Sequence, residues 1–392
     1  MSKKRFTKTE WKKINKELKD NGAAYGLPKS TDKNLIIGSF NIRKLGSADS
    51  RNDEEWEFLA EVCCHFDLLA IQEVMDNLDG LKKLKQLMLK KNPDYRFLIS
   101  DATGAFPGEA GLTERLCFAY NLNYVQRDEV ASDVTYDRSK LIATLFERMD
   151  DINEALQTFT KKMQSYNSGL TKTKPTVKMP VFLSFIRQPY CVAFRLGKRG
   201  TSKPYEVMAV NAHLLFGKYM SDRMQEFDAL MEWIIERVKQ DNKTYYDNFL
   251  LLGDLNLNFD NPKRDINHIT KYLKEFDANS GDEFNVNFPF LDAHPTQDEV
   301  WRTNARKSET FDQIGFFSND ERLPNYKANE EAGTEENGFD YQVFDFVKLF
   351  GMATLGKPLA DMSKSEKKGF LPKFEHKVSD HMPTWVQLPL PQ

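Results

Sequence analysis

The chain has 392 residues with 40% hydrophobic and 29% charged residues, the profile of an ordinary globular protein large enough for one big α/β domain or two smaller ones. No apolar run approaches the roughly 20 residues that a membrane span needs, and the start from Met1 to Phe6 leads into polar sequence, so no membrane partner and a cytoplasmic location are expected. A formal net charge of −3 excludes nucleic-acid binding by bulk charge and leaves local basic patches, with a metal ion offsetting the acids.

In chain order, residues 1–34 read as a basic N-terminal helical appendage, with ten Lys/Arg against four Asp/Glu. Thr7 and Glu10 have capping-box spacing, and Trp11, Ile14 and Leu18 recur as the stripe of a short helix. The catalytic domain is expected over 35–392. Its strand candidates are Leu35–Asn41, Asp67–Glu73, Tyr95–Ser100, Arg115–Asn121, Val181–Arg187, Cys191–Leu196, Glu206–His213, Phe249–Asn256, Phe311–Phe317 and Thr384–Leu388. Its helix candidates are Glu54–His65, Leu78–Lys90, Arg148–Tyr166, Lys218–Lys239 and Ile266–Phe276. Strands interleaved with helices predict an α/β domain. Two stretches near 138–178 and 318–377 interrupt the rhythm and read as insertions. The first carries Lys161, Lys162, Lys172, Lys174 and Lys178 with no acid over 157–178, either a solvated loop or a DNA contact. Either insertion could also take a protein partner. Cys63, Cys64, Cys117 and Cys191 form no CxxC pair and read as free thiols in a reducing compartment.

Five polar clusters sit at the carboxyl ends of strand candidates or just beyond them: Ser39 to Arg43, Ile71 to Val74, Asn211 to Leu214, Leu252 to Asn256, and Val378 to Pro383. Singly each has a plain structural explanation. Together they deliver more acids, amides and imidazoles than a packed core tolerates, and their oxygen-rich ligands suit Mg²⁺ or Mn²⁺ and not zinc.

This set and its order resemble the endonuclease/exonuclease/phosphatase superfamily, most closely its deoxyribonuclease I branch, over roughly residues 35–388. The resemblance rests on Phe40-Asn41, Gln72-Glu73, His213, Gly253-Asp254-x-Asn256, Asp312 and Ser379-Asp380-His381. It implies a four-layer α/β sandwich: two packed, mainly antiparallel sheets flanked by helices. Phe40 to Gly46, Ile71 to Asp76 and Arg187-Gln188-Pro189 look like the nuclease branch, and the Trp-Thr-Asp-Arg segment of inositol polyphosphate phosphatases is missing. Met75 and Leu112 stand where the secreted nuclease uses Arg and Tyr in the minor groove, and no cysteine follows Cys191 to form its disulfide.

The implied activity is a Mg²⁺- or Mn²⁺-dependent DNA endonuclease leaving 5′-phosphate and 3′-hydroxyl ends, with RNA as a second candidate substrate. Glu73, Asp380 and Asn41 are the implied metal ligands. His381 with Asp312 is the implied general base, and His213 with Glu114 the general acid. Asp254 and Asn256 are implied to hold the nucleophile or phosphate, with Arg43 and Arg187 also on the substrate. The rival readings are a phosphomonoesterase or phospholipase on the same core, and a catalytically inactive interaction module.

Overall fold

The computed structural model describes residues 5–102, 113–134, 138–175, 179–216, 220–238, 246–257, 285–297 and 300–391. The expected helix over Ile266–Phe276, Leu112 and Lys178 lie outside the described residues.

Strand formation follows the apolar runs. The first sheet has six strands in the order β11-β12-β1-β2-β4-β3: β1 Asn34–Leu45, β2 Leu68–Met75, β3 Tyr95–Ile99, β4 Glu114–Asn121, β11 Asp340–Val343 and β12 Thr384–Pro389. The second runs β5-β6-β7-β8-β10-β9: β5 Val125–Asp133, β6 Tyr190–Leu196, β7 Tyr205–His213, β8 Phe249–Asp254, β9 Asn285–Asn287 and β10 Asp312–Ser318. Among the described residues only β1–β2 and β7–β8 pair in parallel; every other pairing is antiparallel. The expected architecture of two mainly antiparallel sheets flanked by helices is the one found.

The period-2 alternation of the strands decides what faces what. Leu250 and Leu252 of β8, Val207 and Ala209 of β7, and Ile314 and Phe316 of β10 join the core between the sheets. Their alternates Phe249, Leu251, Met208 and Val210 pack with Phe227, Leu230 and Ile234 of α6 (Met220–Val238) in a second core. Strands covered on both faces read as continuous apolar runs, as Phe249 to Leu252 does. Continuing the same parity, His213, Asp254 and Asp312 fall on the inter-sheet face, at the ends of their strands.

The remaining α-helices among the described residues are α1 Lys8–Asn21, α2 Asp53–Cys63, α3 Asp79–Lys91, α4 Arg138–Glu147, α5 Met149–Asn167, α7 Phe346–Leu355 and α8 Lys364–Phe370. α1 starts at the capping box of Thr7 and Glu10, and its stripe of Trp11, Ile14 and Leu18 is buried. Trp11 packs against Phe58 of α2 and Phe350 of α7, each with ring centroids 5.8 Å apart, while Lys12, Lys13, Lys16 and Lys19 stay exposed. α4 buries no residue and α5 only Ile152; Lys161, Lys162, Lys172 and Lys174 are exposed. Cys63, Cys117 and Cys191 are buried free thiols, and Cys64 is half-buried. Among the described residues no helix is long and apolar enough to cross a membrane.

The strand expectations need correcting at Val181–Arg187 and at three unforeseen strands, β5, β9 and β11. Val181–Arg187 is not a strand: the backbone N–H of Ile186 donates to the Glu226 carboxylate of α6 at 2.6 Å instead of to a neighbouring strand. β5 was not foreseen, because it is an edge strand with one buried residue, Val125, and shows no apolar alternation.

A buried carboxylate ties β1 to β2. Asp67 Oδ2 accepts the N–H of Ile36 at 3.0 Å, and burial raises its pKa to about 6 against the hydrogen bonds that lower it. A carboxyl whose folded pKa exceeds its unfolded value destabilises the fold while ionised, so stability from this group rises as pH falls from about 6 to 4. The rise from the ordinary aspartate range to about 6 is worth about 3 kcal/mol. Asp67→Asn is expected to gain up to that amount over the wild type at pH 7 and to lose the gain by pH 4. Urea denaturation at both pH values checks it; a difference independent of pH would show that Asp67 does not titrate in this range.

Candidate active site

The site lies where the inter-sheet core opens at the ends of β1, β2, β7 and β8. The backbones of β1 and β2 depart there from regular pairing. The β1–β2 register shifts between Asn41 and Leu45, and the β2–β4 register between Ile71 and Val74. Inside these bulges Glu73 has φ +57° and Lys44 φ +47°, left-handed values that cost a non-glycine residue free energy and re-aim its side chain. Glu73 Oε2 accepts the Lys44 N–H at 2.9 Å, which pins the carboxylate across the two bulges. On β8 the parallel partner comes so close that a Cβ on Gly253 would stand 1.9 Å from the Ala212 carbonyl oxygen. Only glycine permits the approach that sets Asp254 opposite His213.

Two histidine–carboxylate pairs converge there. His213 Nδ1 lies 3.0 Å from Glu114 Oε2, and His381 Nδ1 lies 2.8 Å from Asp312 Oδ2. Both Nε2 atoms then stand 3.6 Å from the same oxygen, Asp254 Oδ2. Asn41 Nδ2 of the first sheet donates to that oxygen at 2.9 Å, and the backbone N–H of Asn256 donates to Asp254 Oδ1 at 3.0 Å. Asn256, with φ +53°, turns its amide back to the Leu214 carbonyl at 2.8 Å. Beneath the site, Gln72 Nε2 donates to Asn211 Oδ1 at 2.8 Å and locks the sheets together.

The charges are mutually arranged. Burial pushes Asp254 up, but the His381 and His213 imidazoles and the Asn41 amide outweigh it and hold this carboxyl below its ordinary range. Burial pushes His381 down, yet Asp312 and Asp254 raise it well above the usual histidine value. Glu114 is raised by burial and lowered by more through His213 and Arg187.

A second group of oxygens lies on the β1–β2 side. Asn41 Oδ1 and Asp380 Oδ1 are buried without a hydrogen-bond partner, an expensive condition for polar atoms. Burial raises the Asp380 pKa against the pull of His381 and Arg43, and the Glu73 charge adds to the rise. Two orphaned oxygens beside a second carboxylate fit a hard divalent cation. Asp254, Asp312 and His381 also offer ligand atoms all within 4.8 Å of one another; there Asp312 Oδ2 holds His381 and Asp254 accepts from Asn41 and Asn256, so one oxygen, Asp312 Oδ1, is left without a partner against two on the β1–β2 side.

The sequence-selected residues are thus brought together, with two placed differently from expectation. Arg43 forms a short ion pair with Asp380 and reaches the Glu375 carbonyl at 3.4 Å. Arg187, expected to clamp phosphate, is 8% exposed. Its Nε meets Glu114 Oε2 at 2.7 Å, its Nη2 meets Glu114 Oε1 at 3.1 Å, and its Nη1 faces the His213 and Leu214 carbonyls. These contacts hold the Glu114–His213 pair in place.

Sequence reading missed Glu226 and Thr303. Glu226 accepts the N–H groups of Ile186 and Leu215 at 2.6 and 2.7 Å, joining the Arg187 segment to the end of β7. Thr303 Oγ1 accepts the Asp312 N–H at 3.0 Å, and its carbonyl accepts the Met382 N–H at 2.7 Å. Glu226 left a signal, an acid on the buried face of α6; Thr303 left none. Exposed apolar side chains, not identified in the sequence, also occur: Phe146 at 79%, Leu170 at 80% and Phe216 at 64%.

Comparison with solved structures finds similarity to endonuclease/exonuclease/phosphatase family proteins. One from Bacteroides thetaiotaomicron is 14% identical, covering 93% of this chain and 100% of that one at a TM-score of 0.46. Another from Leptotrichia buccalis is 12% identical, covering 90% and 99% at 0.47. No family model matches the chain. In sequence, the chain is 25% identical over 235 residues to a deoxyribonuclease of Thioalkalivibrio sp. (strain K90mix), spanning 59% of this chain and 48% of the relative. The chain therefore covers about half the length of that relative.

Proposed function

We propose that the chain is a divalent-metal-dependent phosphodiesterase that cleaves DNA to 5′-phosphate and 3′-hydroxyl ends. The observation that carries the reading is the convergence of His213–Glu114 and His381–Asp312 on Asp254, beside the orphaned oxygens of Asn41 and Asp380. Similarity to a deoxyribonuclease supports DNA as the substrate.

Phosphodiester hydrolysis needs a proton removed from water and another given to the leaving oxygen. Each imidazole has Nδ1 engaged by a carboxylate, which fixes the ring orientation and leaves Nε2 free for proton transfer. We assign His381 as the base: Asp312 orients its ring, and Asp312 and Asp254 make its neutral form, the fraction of which grows as pH rises, a strong acceptor for the water proton. His213 delivers a proton to the departing O3′, and Glu114 at its Nδ1 fixes the orientation of the ring. Asp254 and Asn256 orient the water and phosphate between the two rings. A cation held by Glu73, Asp380 and Asn41 would supply Lewis-acid stabilisation of the phosphoryl oxygens.

Arg187 acts through Glu114 in this scheme. Arg187→Ala is expected to lower kcat by about 10- to 100-fold, part of the 10²–10⁴ that acid–base catalysis supplies, on DNA and on a bis-nitrophenyl phosphate diester alike. Loss on DNA alone, with the small diester spared, would return Arg187 to phosphate binding.

The reading is tested by incubating the protein with supercoiled plasmid, single-stranded DNA, RNA and phosphoinositides, each with Mg²⁺, with Mn²⁺ and with chelator. Metal-dependent DNA cleavage with 5′-phosphate ends supports it. Phosphate release from phosphoinositides or small monoesters with DNA untouched would replace it with the phosphatase reading.

A further inference from the structure

The rim beside the two histidines carries an aromatic pair that proton transfer does not use. Phe311 immediately precedes Asp312, and its ring centroid lies 6.2 Å from that of His381 with the planes 34° apart. Phe216, three residues beyond His213, meets Phe311 edge-on at 6.2 Å and 74°. The Arg223 guanidinium stands 4.6 Å from the Phe216 ring centre, and Arg223 Nη1 donates to the Asn256 carbonyl at 3.0 Å. The pair is therefore tied to His381 through a ring contact, to His213 through the chain, and to Asn256 through Arg223. Phe216 nevertheless keeps 64% of its surface in water.

A ring held by Phe311 and by a guanidinium over one face, and otherwise open to water, is a stacking surface. Every nucleobase has a π-face to offer it, and a nearby guanidinium adds attraction. The base of a nucleotide is one sugar away from its phosphate, so a phosphate held between His213 and His381 brings a base to this rim. In a duplex that face is covered by the neighbouring base pairs; in a single strand or an opened segment it is free.

We propose that Phe216, backed by Phe311 and flanked by Arg223, stacks the base adjoining the scissile phosphate, and that the preferred substrate is DNA unpaired at that nucleotide. The inference rests on the nuclease reading above. It is tested with a single-stranded oligonucleotide in which one nucleotide, on either side of the monitored phosphodiester in turn, is replaced by a tetrahydrofuran abasic residue. The wild type is expected to cleave the base-bearing strand about 5- to 100-fold faster in kcat/KM than one of the abasic strands, the range that base–aromatic stacking spans, and faster than the same strand annealed to its complement. Phe216→Ala is expected to reduce cleavage of the base-bearing strand to the abasic level and to leave the abasic strand unchanged; Phe216→Trp is expected to keep the preference. Equal losses on both strands, or no loss on either, would overturn the stacking role while leaving the nuclease reading intact. A wild type that cleaves no nucleic acid would overturn both. Loss confined to phosphoinositide vesicles, with DNA cleavage unchanged by Phe216→Ala, would assign the ring to a lipid surface instead.

Discussion

Replacing either His213 or His381 with alanine is expected to lower turnover by about 10²- to 10⁴-fold, the usual reach of acid–base catalysis. At 1.36 kcal/mol per tenfold that is about 3–5 kcal/mol of transition-state stabilisation. Both rings are nearly buried and each is held by a carboxylate, so removal leaves Glu114 or Asp312 as a buried acid without its imidazole. The variants therefore need a stability control: circular dichroism and urea midpoints alongside steady-state kinetics. The double variant His213→Ala/His381→Ala is expected to lose much less than the product of the single losses, because both rings act on one phosphorus. A well-folded single variant with turnover near the wild type would remove that histidine from the mechanism. Multiplicative losses in the double variant would show that the two rings serve separate steps.

Metal removal is the second large effect. Chelation is expected to abolish activity, and Mg²⁺ or Mn²⁺ to restore it, because Asn41 Oδ1 and Asp380 Oδ1 lie buried and unpartnered next to the Glu73 carboxylate. Glu73→Gln and Asp380→Asn keep shape and remove one ligand charge each, so they are expected to raise the metal concentration needed for half-maximal activity and to weaken Mn²⁺ binding measured by calorimetry. Asp380→Asn also releases the half-buried Arg43 from its ion pair, so Glu73→Gln is the cleaner test. Full activity after exhaustive dialysis against chelator would discard the metal assignment, and unchanged Mn²⁺ binding by both variants would move it to the Asp254, Asp312 and His381 cluster.

Much of this was legible in the sequence because it is local. The capping box at Thr7 and Glu10 and the stripe of Trp11, Ile14 and Leu18 determine α1 through neighbouring residues alone. Continuous apolar runs such as Phe249 to Leu252 identify central strands, and polar residues at their carboxyl ends identify the cleft. The catalytic candidates were chosen by residue type, order and resemblance, and the fold gathers them.

The rest is decided at long range. Asp312 and His381 are separated by 69 residues and Glu114 and His213 by 99, yet only the packing of two sheets brings each carboxylate to its imidazole. Arg187 looks like a phosphate contact in the sequence, because nothing local shows that Glu114 and two carbonyl groups will occupy its guanidinium. Val181–Arg187 has strand-like composition, but its backbone partner is the Glu226 carboxylate, 40 residues away on α6. Short edge strands leave little signal, since β9 buries only Asn287 and β11 alternates over just four residues, and they exist because a neighbour offers free hydrogen-bonding groups. Chain-local patterning thus determined the elements and the chemical repertoire. Tertiary structure decided which donor meets which acceptor, because those pairings depend on groups that are distant in sequence and adjacent only after the sheets pack.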